Sequence, residues 1–77
     1  MDSEILKCKL DNYVWNVQNI FPDDDNDNHH YVDIAYKLPM DVYHTIADAI
    51  HKNVLKDTHA TESDYIVAIG YVYNNLI

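Results

Sequence analysis

A small, mostly α bundle of three to four short helices is the fold class this sequence predicts, and three observations carry it. The chain has 77 residues, 48% of them apolar, which suits one small core and a single domain over residues 1–77. Apolar side chains recur at three- and four-residue spacing in separate stretches, the period of helices buried along one face. Residues 31–38 show strand-like alternation, but no second clear strand stands elsewhere to pair with them. If 31–38 is nevertheless a strand, the fold becomes α+β, with residues 4–10 or another subunit as its partner.

The first helix is expected from about Ser3 to Ile20. Leu6, Leu10, Tyr13, Val14, Val17, Ile20 and Phe21 make its apolar stripe, with Asp2 or Ser3 as cap and Glu4 near the positive end of the dipole. Leu6, Cys8 and Leu10 also alternate, which is the competing strand reading. Phe21-Pro22 ends the element, because proline disfavours α geometry in the residue before it. In residues 31–38, Tyr31, Ile34, Ala35 and Leu38 have helical spacing, with Asn28 or an upstream Asp to cap them. Pro39 suits a first helical turn and opens the clearest helix, about Pro39 to Lys56. Its stripe is Tyr43, Ile46, Ala47, Ile50 and Val54, with Asp41 early and His51, Lys52 and Lys56 late, as the dipole favours. Thr61-Glu62-Ser63-Asp64 opens a last helix as an acidic cap, followed by Tyr65, Ile66, Ile69, Val72, Tyr73, Leu76 and Ile77. Gly70 weakens that helix by about 1 kcal/mol relative to alanine.

Between the first two helices runs Asp23-Asp24-Asp25-Asn26-Asp27-Asn28-His29-His30, a polar, low-complexity loop. Asp23, Asp25 and Asp27 match positions 1, 3 and 5 of a calcium loop. The pattern then fails, with Asn28 where the turn glycine belongs and Ile34 where the bidentate glutamate belongs. His44, Asp48 and His51 lie four and three residues apart, so one helical face could offer zinc-type ligands, though at no dedicated motif spacing. Metal binding is therefore the third reading, and no cofactor is expected. Cys8, the single cysteine, excludes an internal disulfide; burial as a small apolar group is the expectation for it. With one glycine there is no phosphate-cradling loop, and no nucleophile motif surrounds Cys8. The expectation is a protein that is not an enzyme.

Charge is the property furthest from ordinary. Thirteen Asp+Glu face five lysines and no arginine, for a net charge of -8 and a pI near 4.6. That balance excludes direct nucleic-acid binding, which draws on cations that neutralise phosphates. No apolar run has the length of a membrane span, and Met1-Asp2-Ser3-Glu4 is acidic where a secretory signal is basic, so a cytoplasmic location is expected. An acidic surface complements a basic partner. Asp23, Asp24, Asp25 and Asp27 form the densest patch, and Asp33, Asp41, Asp48, Asp57, Glu62 and Asp64 are expected to extend it as packing allows. Tyr13, Tyr31, Tyr43, Tyr65 and Tyr73 fit the apolar stripes, whereas Trp15, Tyr36 and Tyr71 fall off them and are candidates for a contact surface.

In size, acidity and Asp/Asn/Tyr/Ile-rich composition, the chain resembles the small acidic inhibitors of phages and other mobile elements, anti-restriction and anti-CRISPR proteins among them. The resemblance is one of general character and transfers no residues. It implies a protein that inhibits or modulates a basic, nucleic-acid-handling protein, by mimicry of nucleic-acid charge. The alternative is a homodimeric interaction module that binds through an apolar-aromatic face.

Overall fold

The computed structural model describes residues 3–21, 28–54 and 61–76. The acidic run at 22–27, with Asp23, Asp24, Asp25 and Asp27, lies outside the described residues, as do Asp57 and His59. Five helical segments follow in chain order: α1 Ser3–Asn12, α2 Val17–Ile20, α3 Asn28–Lys37, α4 Met40–Asn53 and α5 Glu62–Leu76. The expected helical bundle is what forms. Residues 31–37 are helical, so the strand alternative for this segment is excluded.

The expected single helix over 3–20 is instead two. After Asn12 the ladder tightens, with the Tyr13 amide donating to the Leu10 carbonyl at 3.1 Å, and regular structure resumes only at Val17. Asn12 closes α1 by donating its side-chain amide to the Cys8 carbonyl at 3.0 Å. Asn12, Val14 and Asn16 are indifferent helix formers, and tertiary packing rewards the bend. The bend lets Trp15 reach the core while Ile20 is wholly buried, and it turns Val14 and Val17 outward. Val14 is 80% exposed, although helical spacing assigned it to the buried stripe. Cys8 is exposed as well, against the expectation of burial.

α4 begins one residue later and ends earlier than expected. Pro39 holds the N-cap position at φ -56°, ψ 150° rather than the first turn. Its buried stripe is Val42, Ile46 and Ile50, continued by Val54, while Tyr43 and Ala47 are half-buried at its edge. α5 starts with a capping box. The Thr61 amide donates to Asp64 Oδ2 at 2.8 Å, and the Asp64 amide donates to Thr61 Oγ1 at 3.2 Å.

α5 is the hub. Four consecutive residues, Val67 to Gly70, are buried, which happens only when neighbours enclose a helix on more than one side. α3 packs along it most extensively, α4 and α2 also touch it, and α1 lies against α4. Leu6, Leu10, Ile20, Ala35, Val42, Ile46, Ile50, Val54, Ala68, Ile69 and Val72 form one continuous core. Among the described residues no charged or polar side chain is buried in it. Gly70 meets the backbone of Tyr31, so the residue that weakens α5 locally is what lets α3 come close.

Candidate protein-binding surface

The α3–α4 elbow is built by three local events. Proline restricts Leu38 and supplies no amide, so α3 stops, with the Leu38 amide turning back to the Ala35 carbonyl at 3.2 Å. The Pro39 carbonyl then accepts from the Tyr43 amide at 2.9 Å and starts α4. The break at Leu38-Pro39 leaves apolar side chains exposed on either side of it. Tyr36 is 71% exposed and Met40 72% exposed, and both border an open depression of about 190 Å³ shared with Ala35, Leu38 and Tyr43. Asp33 is exposed one turn before Tyr36 on the same side of α3, and Asp41 is exposed beside Met40. Lys37 is the cation of the elbow.

Of the aromatics that fell off the apolar stripes, only Tyr36 stands free. Trp15 packs against the core and meets Tyr13 edge-on, with ring centroids 5.0 Å apart. Tyr71 is half-buried and meets Tyr31 edge-on at 5.1 Å. Trp15 and Tyr71 are therefore each partly covered by the fold, because the helix phases drawn from spacing did not include the bend after α1 or the contact of α3 with α5. Met40 was the missed surface residue. Its signal was present: a large apolar side chain directly after Leu38-Pro39, outside the stripe of the helix it begins.

The expected alignment of His44, Asp48 and His51 is not a ligand set. All three are exposed on α4, but Asp48 opens toward α1, in a groove of about 320 Å³ with Lys7, Asp11 and Lys52. His51 stacks on Tyr65 of α5 at 4.9 Å and 24°. Among the described residues no three His, Cys, Asp or Glu side chains converge in a way that could hold a metal ion. The α1–α4 groove carries two lysines and two aspartates, so the acid excess of the chain does not lie there.

A broader, shallow groove of about 640 Å³ runs between the end of α1 and the end of α5, past Cys8, Tyr13, Val14 and Tyr71. Its polar groups are largely engaged with helix ends. Lys9 Nζ donates to the Leu76 carbonyl at 3.0 Å, placing a cation at the negative end of α5, and Asn75 donates to the Tyr71 carbonyl at 2.8 Å. Burial raises the Tyr13 hydroxyl pKa above its usual 10.0, and the neighbouring Tyr71 adds to the shift.

Glu4, Asp11, Asp33, Asp41, Asp48, Glu62 and Asp64 are all exposed. Phe21, two residues before Asp23 in sequence, meets Tyr65 edge-on at 5.6 Å, three residues after Glu62 and directly after Asp64. Among the described residues no helix is long and apolar enough to cross a membrane. Comparison with models of known families, with curated proteins and with solved structures finds no match.

Proposed function

We propose that this chain is a non-enzymatic acidic binding protein whose partner is a basic, nucleic-acid-handling protein, and that it inhibits or modulates that partner by offering negative charge where nucleic acid would lie. One observation carries the reading: every acidic side chain among the described residues stands on the surface of a chain with net charge -8. The acids mixed with lysines are those of the α1–α4 groove. Asp33 and Asp41 stand exposed about the elbow with Lys37 between them in sequence, Glu62 and Asp64 stand exposed at the start of α5, and the sequence adds four carboxylates at Asp23, Asp24, Asp25 and Asp27.

Duplex DNA presents one negative charge per about 1.7 Å of axis. Carboxylates in adjacent positions of a loop have comparable density, and they attract the same lysine- and arginine-lined grooves. The test is capture of basic nucleic-acid-binding proteins on the immobilised chain at low and raised salt, followed by elution with duplex DNA. Release by salt and by DNA, together with weaker capture by Asp23→Asn plus Asp25→Asn, is the expected result. Capture that ignores salt, DNA and that double substitution would refute charge mimicry.

A further inference from the structure

We infer that the α3–α4 elbow is the docking site for a short, basic amphipathic segment of the partner, with an apolar side chain of that segment seated between Tyr36 and Met40. The inference rests on the reading of the chain as a binder of basic proteins and adds where the specific contact is made.

Tyr36 and Met40 are the two most exposed large side chains beside the apolar depression, at 71% and 72%. At that exposure they present roughly 300 Å² of side chain, the size of the largest patch on an ordinary monomer and one that is often functional. Ala35, Leu38 and Tyr43 line the depression with them, Ala35 being buried and the other two half-buried, so its lining comes from α3, α4 and the corner between them. Residues that anchor interfaces are commonly aromatic and lie in such positions.

Area and charge choose the occupant. A stable protein pair buries about 800 Å² per partner, well above what this patch offers. Two copies meeting here would also oppose their charges of -8. A segment about one or two helical turns long matches the area, and a basic one is attracted by Asp33 and Asp41 on either side of the apolar pair. Lys37, one turn after Asp33, offsets part of that attraction, and Asp33, Lys37 and Asp41 together leave the elbow net negative.

The experiment is titration of the full, isotope-labelled chain with a short synthetic helix of leucine on one face and lysine on the other. Two control peptides replace lysine by glutamate or leucine by serine. Amide shifts are expected to concentrate at residues 33–43, with both controls inert. Tyr36→Ala and Met40→Ala should each weaken binding about tenfold, the loss usual for an interface anchor. Asp33→Asn with Asp41→Asn should weaken it several-fold and flatten its salt dependence, and Lys37→Glu should strengthen it. Circular dichroism on each variant confirms the fold, which these exposed positions leave intact.

Shifts confined to residues 23–27 would overturn the elbow while leaving the charge reading in place. Shifts at neither site would overturn both. Equal binding of the glutamate peptide would remove the basic occupant. A mass that rises with protein concentration, and falls back in Tyr36→Ala, would give the elbow to a second copy and overturn the inference.

Discussion

Gly70 lies with its α-carbon against the backbone carbonyl of Tyr31: a β-carbon added to the glycine would stand 2.7 Å from the Tyr31 carbonyl carbon and closer still to its oxygen. Two helices approach this closely only where one of them has no side chain. The contact fixes the depth of α3 on α5, and with it the position of Ala35 in the core and of Tyr36 outside it.

Gly70→Ala therefore sets two effects against each other. Alanine improves the local helix by about 1 kcal/mol, but the clash is with backbone, which no rotamer change relieves, and α3 must move off α5. Overpacking of this kind costs typically 1–3 kcal/mol or more, and the net expectation is destabilisation. Thermal and urea unfolding measure it, with roughly 4–8 °C of Tm per kcal/mol in a domain of this size. A variant as stable as the parent would show that the helices are not in such contact.

Leu6→Ala and Val14→Ser separate a broken first helix from a continuous one. Leu6 is fully buried and Val14 is 80% exposed. The first change should cost about 2–5 kcal/mol, enough to unfold much of a small domain. The second should stay within about 0.5 kcal/mol. A helix unbroken from Ser3 to Ile20 would bury Val14, and a polar residue there would then cost well over 1 kcal/mol. Equilibrium denaturation in urea reads both.

Thr61→Ala removes half of the capping box and should cost about 1 kcal/mol. Amide exchange gives a local reading: the Asp64 amide, which donates to the Thr61 hydroxyl, loses protection. Thr61→Ser keeps the hydroxyl and should keep most of the stability. Unchanged exchange at Asp64 in the alanine variant would rule the box out.

Tyr13 predicts an alkaline dependence. Burial first, and the Tyr71 charge second, raise its pKa above 10.0. The folded state thus holds this proton at pH values where the unfolded chain has released it. The resulting stability is complete below about pH 10 and is lost as pH rises through the folded-state value. Tyr13→Phe should make the alkaline loss of stability less steep and remove a tyrosinate step that lies above the usual range. Tyr71→Phe should bring Tyr13 only part of the way back, since burial remains. A Tyr13→Phe difference titration whose lost tyrosinate forms at or below the usual tyrosine pKa of about 10 would contradict this.

Among the described residues, the exposure of part of the candidate surface was legible in the sequence, and the burial of the rest depends on packing. Tyr36 and Asp33 were marked by lying off the apolar stripe or beside the acid run, and both are exposed. Trp15 and Tyr71 carried the same mark and are half-buried, since the bend at residues 13–16 resets the phase for Trp15 and α3 covers Tyr71 from the side. His44, Asp48 and His51 shared a spacing but not a direction, because α4 has α1 on one flank and α5 on the other.

Helix content, the opening of a helix about Pro39, the Thr61–Asp64 cap and the net charge followed from the sequence alone, because each depends on residues a few positions apart or on simple addition. The break after Asn12, the exposure of Cys8 and Val14, the service of Gly70 as a contact point and the apolar elbow at Tyr36 and Met40 were decided by the tertiary structure. Those features depend on which helix lies against which. A stripe read along one helix gives the side that prefers burial, but only the neighbouring helices determine how much of that side is covered and what is left outside.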